Sequence, residues 1–261
     1  MTLGSDAGKT LVGLSIRPGI PGQNQLFVFL QPPEGEASPA TLPVTLRAGG
    51  SPATPSTCGP TCRSFSADLR GGEPVEVEVG GKEGGVTTFS VPALPAAAGN
   101  ETLAAADRRM QQLSTYQLDE TLRPSESPVV AHYSYQLPDR MHLTASDGFE
   151  RVVVGLAAYS RDRPGTPWEF QQLPQPIAGN RFIWDYGTPT AIRVTGEETI
   201  DGVPSRVVSF YERASGLPIW FRLWVGPDNL VRRAEMRAPL HFMDDLFSGF
   251  DQPVDIEPPT G

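Results

Sequence analysis

Between residues 9 and 92 apolar and polar positions alternate in short bursts, separated by turns rich in Gly and Pro. Lys9–Arg17 sets Leu11, Gly13 and Ser15 against Val12, Leu14 and Ile16. After the turn PGIPGQN at 18–24, Gln25–Gln31 resumes the alternation, and Leu42–Arg47, Arg63–Leu69, Pro74–Val79 and Val86–Val91 continue it. A period of two points successive side chains to opposite faces, so each burst reads as a half-buried strand. Short strands at this spacing predict an all-β immunoglobulin-like sandwich over residues 9–92. A small barrel would leave a similar string.

The run VPALPAAAG at 91–99 holds two prolines and small side chains, and residues 93–99 read as a linker. Asn100 is expected to cap a helix, with Glu101 in the first turn, where unpaired N–H groups favour an anion. Leu103, Ala106, Met110 and Leu113 recur at helical spacing and form one apolar stripe. From Tyr116 the period returns to two. Tyr116, Leu118 and Leu122 share a face; Val129, Ala131, Tyr133 and Tyr135 share another, opposite Val130, His132, Ser134 and Gln136. Met141 and Leu143 likewise oppose Arg140, His142 and Thr144. Asp201-Gly202 marks a tight hairpin, and Pro227–Asn229 joins two further strands. One helix followed by a long antiparallel meander is an α+β pattern. The predicted architecture is two domains: the sandwich at 9–92, then at 100–259 an α+β half-barrel, a curved antiparallel sheet wrapped around an N-terminal helix.

Charge narrows the partners. The formal charge is -9, which argues against nucleic acid, whose phosphates need a basic surface. Residues 1–98 carry 6 basic and 8 acidic groups, and the remaining 15 basic and 22 acidic groups place most of the acidity in the second half. No apolar run approaches the roughly 20 residues that span a bilayer. The opening MTLGSDAGKT lacks the basic and apolar regions of a secretory leader. The chain as it stands is expected to be soluble, and its abrupt start suits an ectodomain cut from a longer membrane protein. GSDAGKT at 4–10 is one residue short of a phosphate-binding P-loop and follows no strand, so a flexible N-terminal segment is expected there.

Candidate chemistry is sparse. Cys58 and Cys62, in TCGPTC, are expected to form a structural disulfide, which points to an oxidising compartment outside the cytoplasm. Their spacing does not match Cys-x-x-Cys, and two thiolates do not complete a zinc site. There is no G-x-S-x-G elbow and no H-E-x-x-H. The adjacent acids Glu197-Glu198 and Asp244-Asp245 point to opposite faces of any strand, so adjacency defines no catalytic pair. His241 and Met243 are two apart and would share a strand face, a soft copper(I) pair to which His132 or Met141-His142 could add ligands only if the sheet brought them close. Pro239 just upstream could break that strand, and Met141 and Met236 fall on apolar faces as core filler.

Four pieces carry a resemblance: MQQLSTY at 110–116, LPDRM at 137–141, IDGVP at 200–204 and the tail from Arg233 to Pro259. In this order they resemble the LolA-like lipoprotein-carrier fold, including its mycobacterial lipoprotein members and versions found as extracytoplasmic domains of membrane proteins. The resemblance implies an open half-barrel that holds acyl chains and performs no chemistry; it transfers no individual ligand residue. LSIRP at 14–18 and GIPGQNQLFVFL at 19–30 resemble the small sandwich domains near CopC and YtkA-like proteins, which occur beside CopD-like copper-transport segments. Copper binding of the CopC type uses an amino-terminal histidine, and here no His precedes His132. The expected function is a non-enzymatic, extracytoplasmic binding module for a hydrophobic or lipid ligand, tied to a parent membrane protein or membrane surface linked to copper transport. The alternatives are a copper module built on His241 and Met243, and a structural interaction module.

Overall fold

The computed structural model describes residues 1–33, 41–58, 62–123, 128–179, 181–185, 187–214, 216–239 and 241–259. Among these, nine strands precede the helix: β1 (Thr2–Ala7), β2 (Thr10–Arg17), β3 (Gly22–Gln31), β4 (Val44–Ala48), β5 (Ser51–Pro52), β6 (Thr54–Thr57), β7 (Cys62–Leu69), β8 (Pro74–Val79) and β9 (Gly85–Ser90). They form a five-stranded sheet, β1-β2-β3-β7-β6, and a four-stranded sheet, β5-β4-β8-β9. The alternation does what the pattern requires. Leu14, Leu26, Val28 and Phe65 of the first sheet meet Leu46, Val75, Val77 and Phe89 of the second in one buried core. Each such side chain contributes roughly 1.5–3 kcal/mol of transfer free energy.

The N-terminal segment departs from expectation. Thr2–Ala7 is not a flexible lead-in; it pairs antiparallel with β2, from Thr2 opposite Ser15 to Ala7 opposite Thr10. Its inward residues Leu3 and Ala7 are buried. The turn between them needs Gly8 at φ 65°, so the glycine that suggested a P-loop serves a hairpin. GSDA carries only a small apolar residue, which is why the alternation was too faint to read there.

The helix α1 (Asn100–Met110) begins one residue earlier than predicted. Gly99 is the cap and Asn100 the first helical residue, with no side-chain cap bond. Ala98 bridges Arg193, and a Cβ on Gly99 would lie 3.0 Å from Val208, so close approach to the sheet sets the start. Leu103, Ala106 and Met110 are buried, as the stripe predicts. Arg108 and Arg109 in the last turn complement the helix dipole.

Eleven described strands follow: β10 (Thr115–Arg123), β11 (Val129–Gln136), β12 (Arg140–Ala145), β13 (Glu150–Val154), β14 (Ala157–Arg161), β15 (Glu169–Gln172), β16 (Thr190–Ile200), β17 (Val203–Ala214), β18 (Leu217–Val225), β19 (Val231–Ala238) and β20 (His241–Ser248). They make one antiparallel sheet in the order β15-β14-β13-β12-β11-β10-β20-β19-β18-β17-β16. Asp201 and Gly202 sit at φ 48° and 81°, the left-handed pair that a two-residue hairpin needs. One face of this sheet packs against α1. The other packs against β1 and β2.

That second contact is built on glycine. Gly4 and Gly13 are register partners, and a Cβ on either would fall 2.2 or 2.4 Å from Trp220 of β18. Trp220 Nε1 donates to Thr2 Oγ1 at 3.2 Å, and Leu11 and Phe242 complete the buried cluster. An ion-pair network surrounds it: Arg237 reaches Asp6 (2.8 Å) and Asp244 (2.7 Å), and Arg123 bridges the same two carboxylates. Beyond β20 the tail folds back. Asp251 accepts from Ser114 and Arg109, and Ile256 is buried.

Candidate functional site

Register places an acid inside the apolar wall that faces α1. Along β20, Met243, Asp245 and Phe247 point to the helix, while Phe242 and Asp244 point to the N-terminal sheets. On β10, Leu118, Glu120 and Leu122 lie opposite Phe247, Asp245 and Met243. Glu120 and Asp245 are thus cross-strand partners. Asp245 is 0% exposed, and neither of its carboxyl oxygens has a hydrogen-bond partner. Burial, then the charges of Glu120 and Asp244, push its pKa up to about 8 against the pull of Arg237. Burial also raises Glu120, opposed by the Tyr133 hydroxyl, which donates to it at 3.4 Å.

A second buried acid lies on the same face, at Glu212 of β17. Burial pushes its pKa up to about 7, Asp185 and Asp107 add to the rise, and neither carboxyl oxygen has a hydrogen-bond partner. Near it Trp184 donates to Asp107 at 2.7 Å and stacks on Phe182 at 4.8 Å. Tyr116 stacks on Tyr135 at 4.6 Å and donates to the Gly179 carbonyl at 2.7 Å. These contacts hold Gly179, Phe182 and Trp184 across the sheet beside α1. With a pKa of about 8, Asp245 holds its proton at neutral pH, so the apolar wall carries no naked charge there.

The wall is not filled everywhere. Over β10 and β16–β20 the side chains of α1, Phe182 and Trp184 close the core. Over β12 and β13, where Leu173 and Ile177 pack against Met141 and Val153, an open hollow of about 640 Å3 is lined by Met141, Leu143, Leu173, Ile177 and Phe182 together with Arg151, Gln175 and Arg181. Ligand sites of drug size fall in this range, roughly 300–1,000 Å3. Asp245 does not open into a cleft, so the acid pair is not arranged as a catalytic dyad.

The residues singled out from sequence lie elsewhere. His241 opens β20 and is exposed, while Met243 is buried against Met236 of β19. Pro239 falls in the turn between these strands, so it ends β19 and leaves β20 whole. His132 and His142 lie on the outer face of β11 and β12, where Asp119 and Glu150 engage them at 2.5 and 2.8 Å. Among the described residues no group of three or more His, Cys, Asp or Glu is set to hold a metal. Cys58 and Cys62 are joined by a disulfide with Cα atoms 5.3 Å apart; residues 59–61 between them lie outside the described residues. Sequence reasoning missed Glu120 and Glu212, and weighed Asp245 only as the neighbour of Asp244. The signal was present: each interrupts an apolar stripe (Leu118-x-Glu120-x-Leu122, Met243-x-Asp245-x-Phe247, Val208-x-Phe210-x-Glu212).

No protein-family model matches the chain. No curated protein matches its sequence at a significant level. Among solved structures it is similar to LprF from Mycobacterium bovis, at 16% identity and TM-score 0.48, over 64% of this chain and 100% of that one. It is also similar to the Mycobacterium tuberculosis lipoprotein LppX, at 10% identity and TM-score 0.44, over 60% and 97%. A DUF1329 family protein from Desulfovibrio piger follows at 10% identity and TM-score 0.29, over 61% and 96%. None of these superpositions is close enough to carry an argument, so the functional reading rests on this chain's own residues.

Proposed function

We propose that the chain is a non-enzymatic binding module whose large sheet holds a hydrophobic or lipid ligand against its helix face. The observation that carries this is the open 640 Å3 hollow over β12 and β13, where Met141, Leu143, Leu173 and Ile177 offer apolar surface beside Arg151 and Arg181. Covering the apolar part of this lining is favourable by about 25 cal/mol per Å2. In this reading residues 100–259 are the expected half-barrel and residues 9–92 the expected immunoglobulin-like sandwich, joined by the linker at 93–99. The disulfide supports an extracytoplasmic setting. A link to copper transport and a parent membrane protein belong to the same proposal and rest on the sequence resemblance alone.

Native mass spectrometry of the purified chain, with solvent extraction of the same sample, tests the reading. A bound lipid or saturable uptake of a fluorescent fatty acid is expected, and Leu143→Trp, which crowds the hollow, should weaken uptake at least ~10-fold, about 1.4 kcal/mol. Empty protein that takes up no apolar probe would remove the proposal.

A further inference from the structure

A second hollow, of about 490 Å3, lies on the opposite side of the large sheet, where the N-terminal sheets meet it. Its walls come from both halves of the chain: Leu11 and Phe29 from β2 and β3, Tyr211 and Trp220 from β17 and β18. The Tyr211 and Trp220 rings lie 5.2 Å apart, and Phe29 is 41% exposed, a large aromatic left partly in water beside them. Two arginines line the same hollow, Arg17 from the end of β2 and Arg213 from β17. Arg213 Nε donates to the Tyr211 hydroxyl at 2.8 Å, which aims it along the ring, and Arg17 sits 5.4 Å over Phe27. Among the described residues neither arginine pairs with a carboxylate, and no Asp or Glu lines the hollow. In a chain of net charge -9 that is a local reversal of sign. Such a concave patch attracts anions.

We propose that this seam binds a small amphipathic oxyanion. Its carboxylate, sulfonate or phosphate head would lie between Arg17 and Arg213, whose planar forks match paired oxygens. Its aromatic or short alkyl body would lie on Tyr211, Trp220 and Phe29, where ring faces offer apolar area. Because the walls belong to both halves, the ligand binds only their docked arrangement and stabilises it by mass action. The site is separate from the hollow over β12 and β13, with the large sheet between them.

Calorimetric titration of the whole chain with naphthalene-2-sulfonate is the test. One saturable site is expected, weakened by salt and at least ~10-fold weaker for the uncharged naphthalene-2-methanol or in R17Q/R213Q. Leu143→Trp, in the other hollow, should leave it unchanged. Stronger binding of dodecyl phosphate than of the naphthalene acid would assign the site to lipid-like anions, and the reverse to small aromatic acids; both support it. Should the double variant fold poorly, photolysis of an aryl-azide sulfonate on the unaltered chain gives the answer. Labels are expected on peptides bearing Leu11, Phe29 or Tyr211–Trp220. No saturable binding, indifference to the arginines, or labels confined to residues 141–183 would overturn the proposal.

Discussion

Replacing Asp245 by Asn should stabilise the fold, and by an amount that grows with pH. Asn has nearly the same shape and cannot ionise, and it sits opposite Glu120 across the strand pair. In the folded chain the Asp245 pKa is raised from 3.8 to about 8. Below about pH 3.8 the carboxyl is protonated in both states and costs nothing. As pH rises through the window the unfolded chain ionises while the folded chain holds its proton. Native stability therefore falls by about 1.4 kcal/mol per pH unit until about pH 8, where the loss levels off. At pH 7 the accumulated penalty is about 4 kcal/mol, a large part of the 5–15 kcal/mol typical of a folded protein. Urea unfolding of both proteins at about pH 5, 6 and 7.5, followed by far-ultraviolet dichroism and by tryptophan fluorescence, measures the difference. A stability gap that does not widen with pH would refute the reasoning: Asp245 would then have a solvated or well-paired carboxylate.

Three further outcomes follow from the same geometry. Gly13→Ala puts a Cβ where only 2.4 Å separates it from Trp220, so a loss of about 1–3 kcal/mol and a shift of the Trp220 emission are expected in denaturant titrations. Glu212→Gln removes a group raised from 4.5 to about 7; wild-type stability is lost as pH rises between those values, so the variant should gain about 3 kcal/mol at pH 8 and little at about pH 4.5, seen in melts at both. The double substitution C58S/C62S opens a loop of only a few residues, so chain entropy predicts a loss of no more than about 2 kcal/mol, with uptake of an apolar probe unchanged; a collapse of the fold would contradict that estimate.

How much of this was legible in the sequence depends on what the period could report. Pro74–Val79 was readable to the residue, because PVEVEV alternates without a break. The stripe Leu103, Ala106, Met110 located the helix, while its first residue was set by the bridge from Ala98 to Arg193, a long-range contact no local pattern carries. β1 was missed because its outer face is Gly4, kept bare for Trp220 more than 200 residues away; a small residue on a seam looks like a turn residue in one dimension. The hollow over β12 and β13 was expected only as leftover space, since its volume depends on where Leu173 and Ile177 lie. His241 and Met243 stood out as residue types. The acids stood out only by position, as breaks in apolar stripes.

Asp244 and Asp245 show what that positional information amounts to. They are chemically identical neighbours, and the period of a strand sends them to opposite sides of β20. Burial would raise Asp244, but Arg237 and Arg123 outweigh it and hold its pKa below the usual carboxylate range. One residue on, Asp245 is fully buried where Asp244 is partly exposed, it has no cation of its own, and its pKa moves the other way. Arg237 reaches Asp6, Asp244 and the Met243 carbonyl, and so ties the N-terminal sheets to the strand whose other face carries the protonated acid. β20 is therefore the wall between two environments, an ion-paired seam and an apolar interior. A charge placed on it survives on one side and is suppressed on the other.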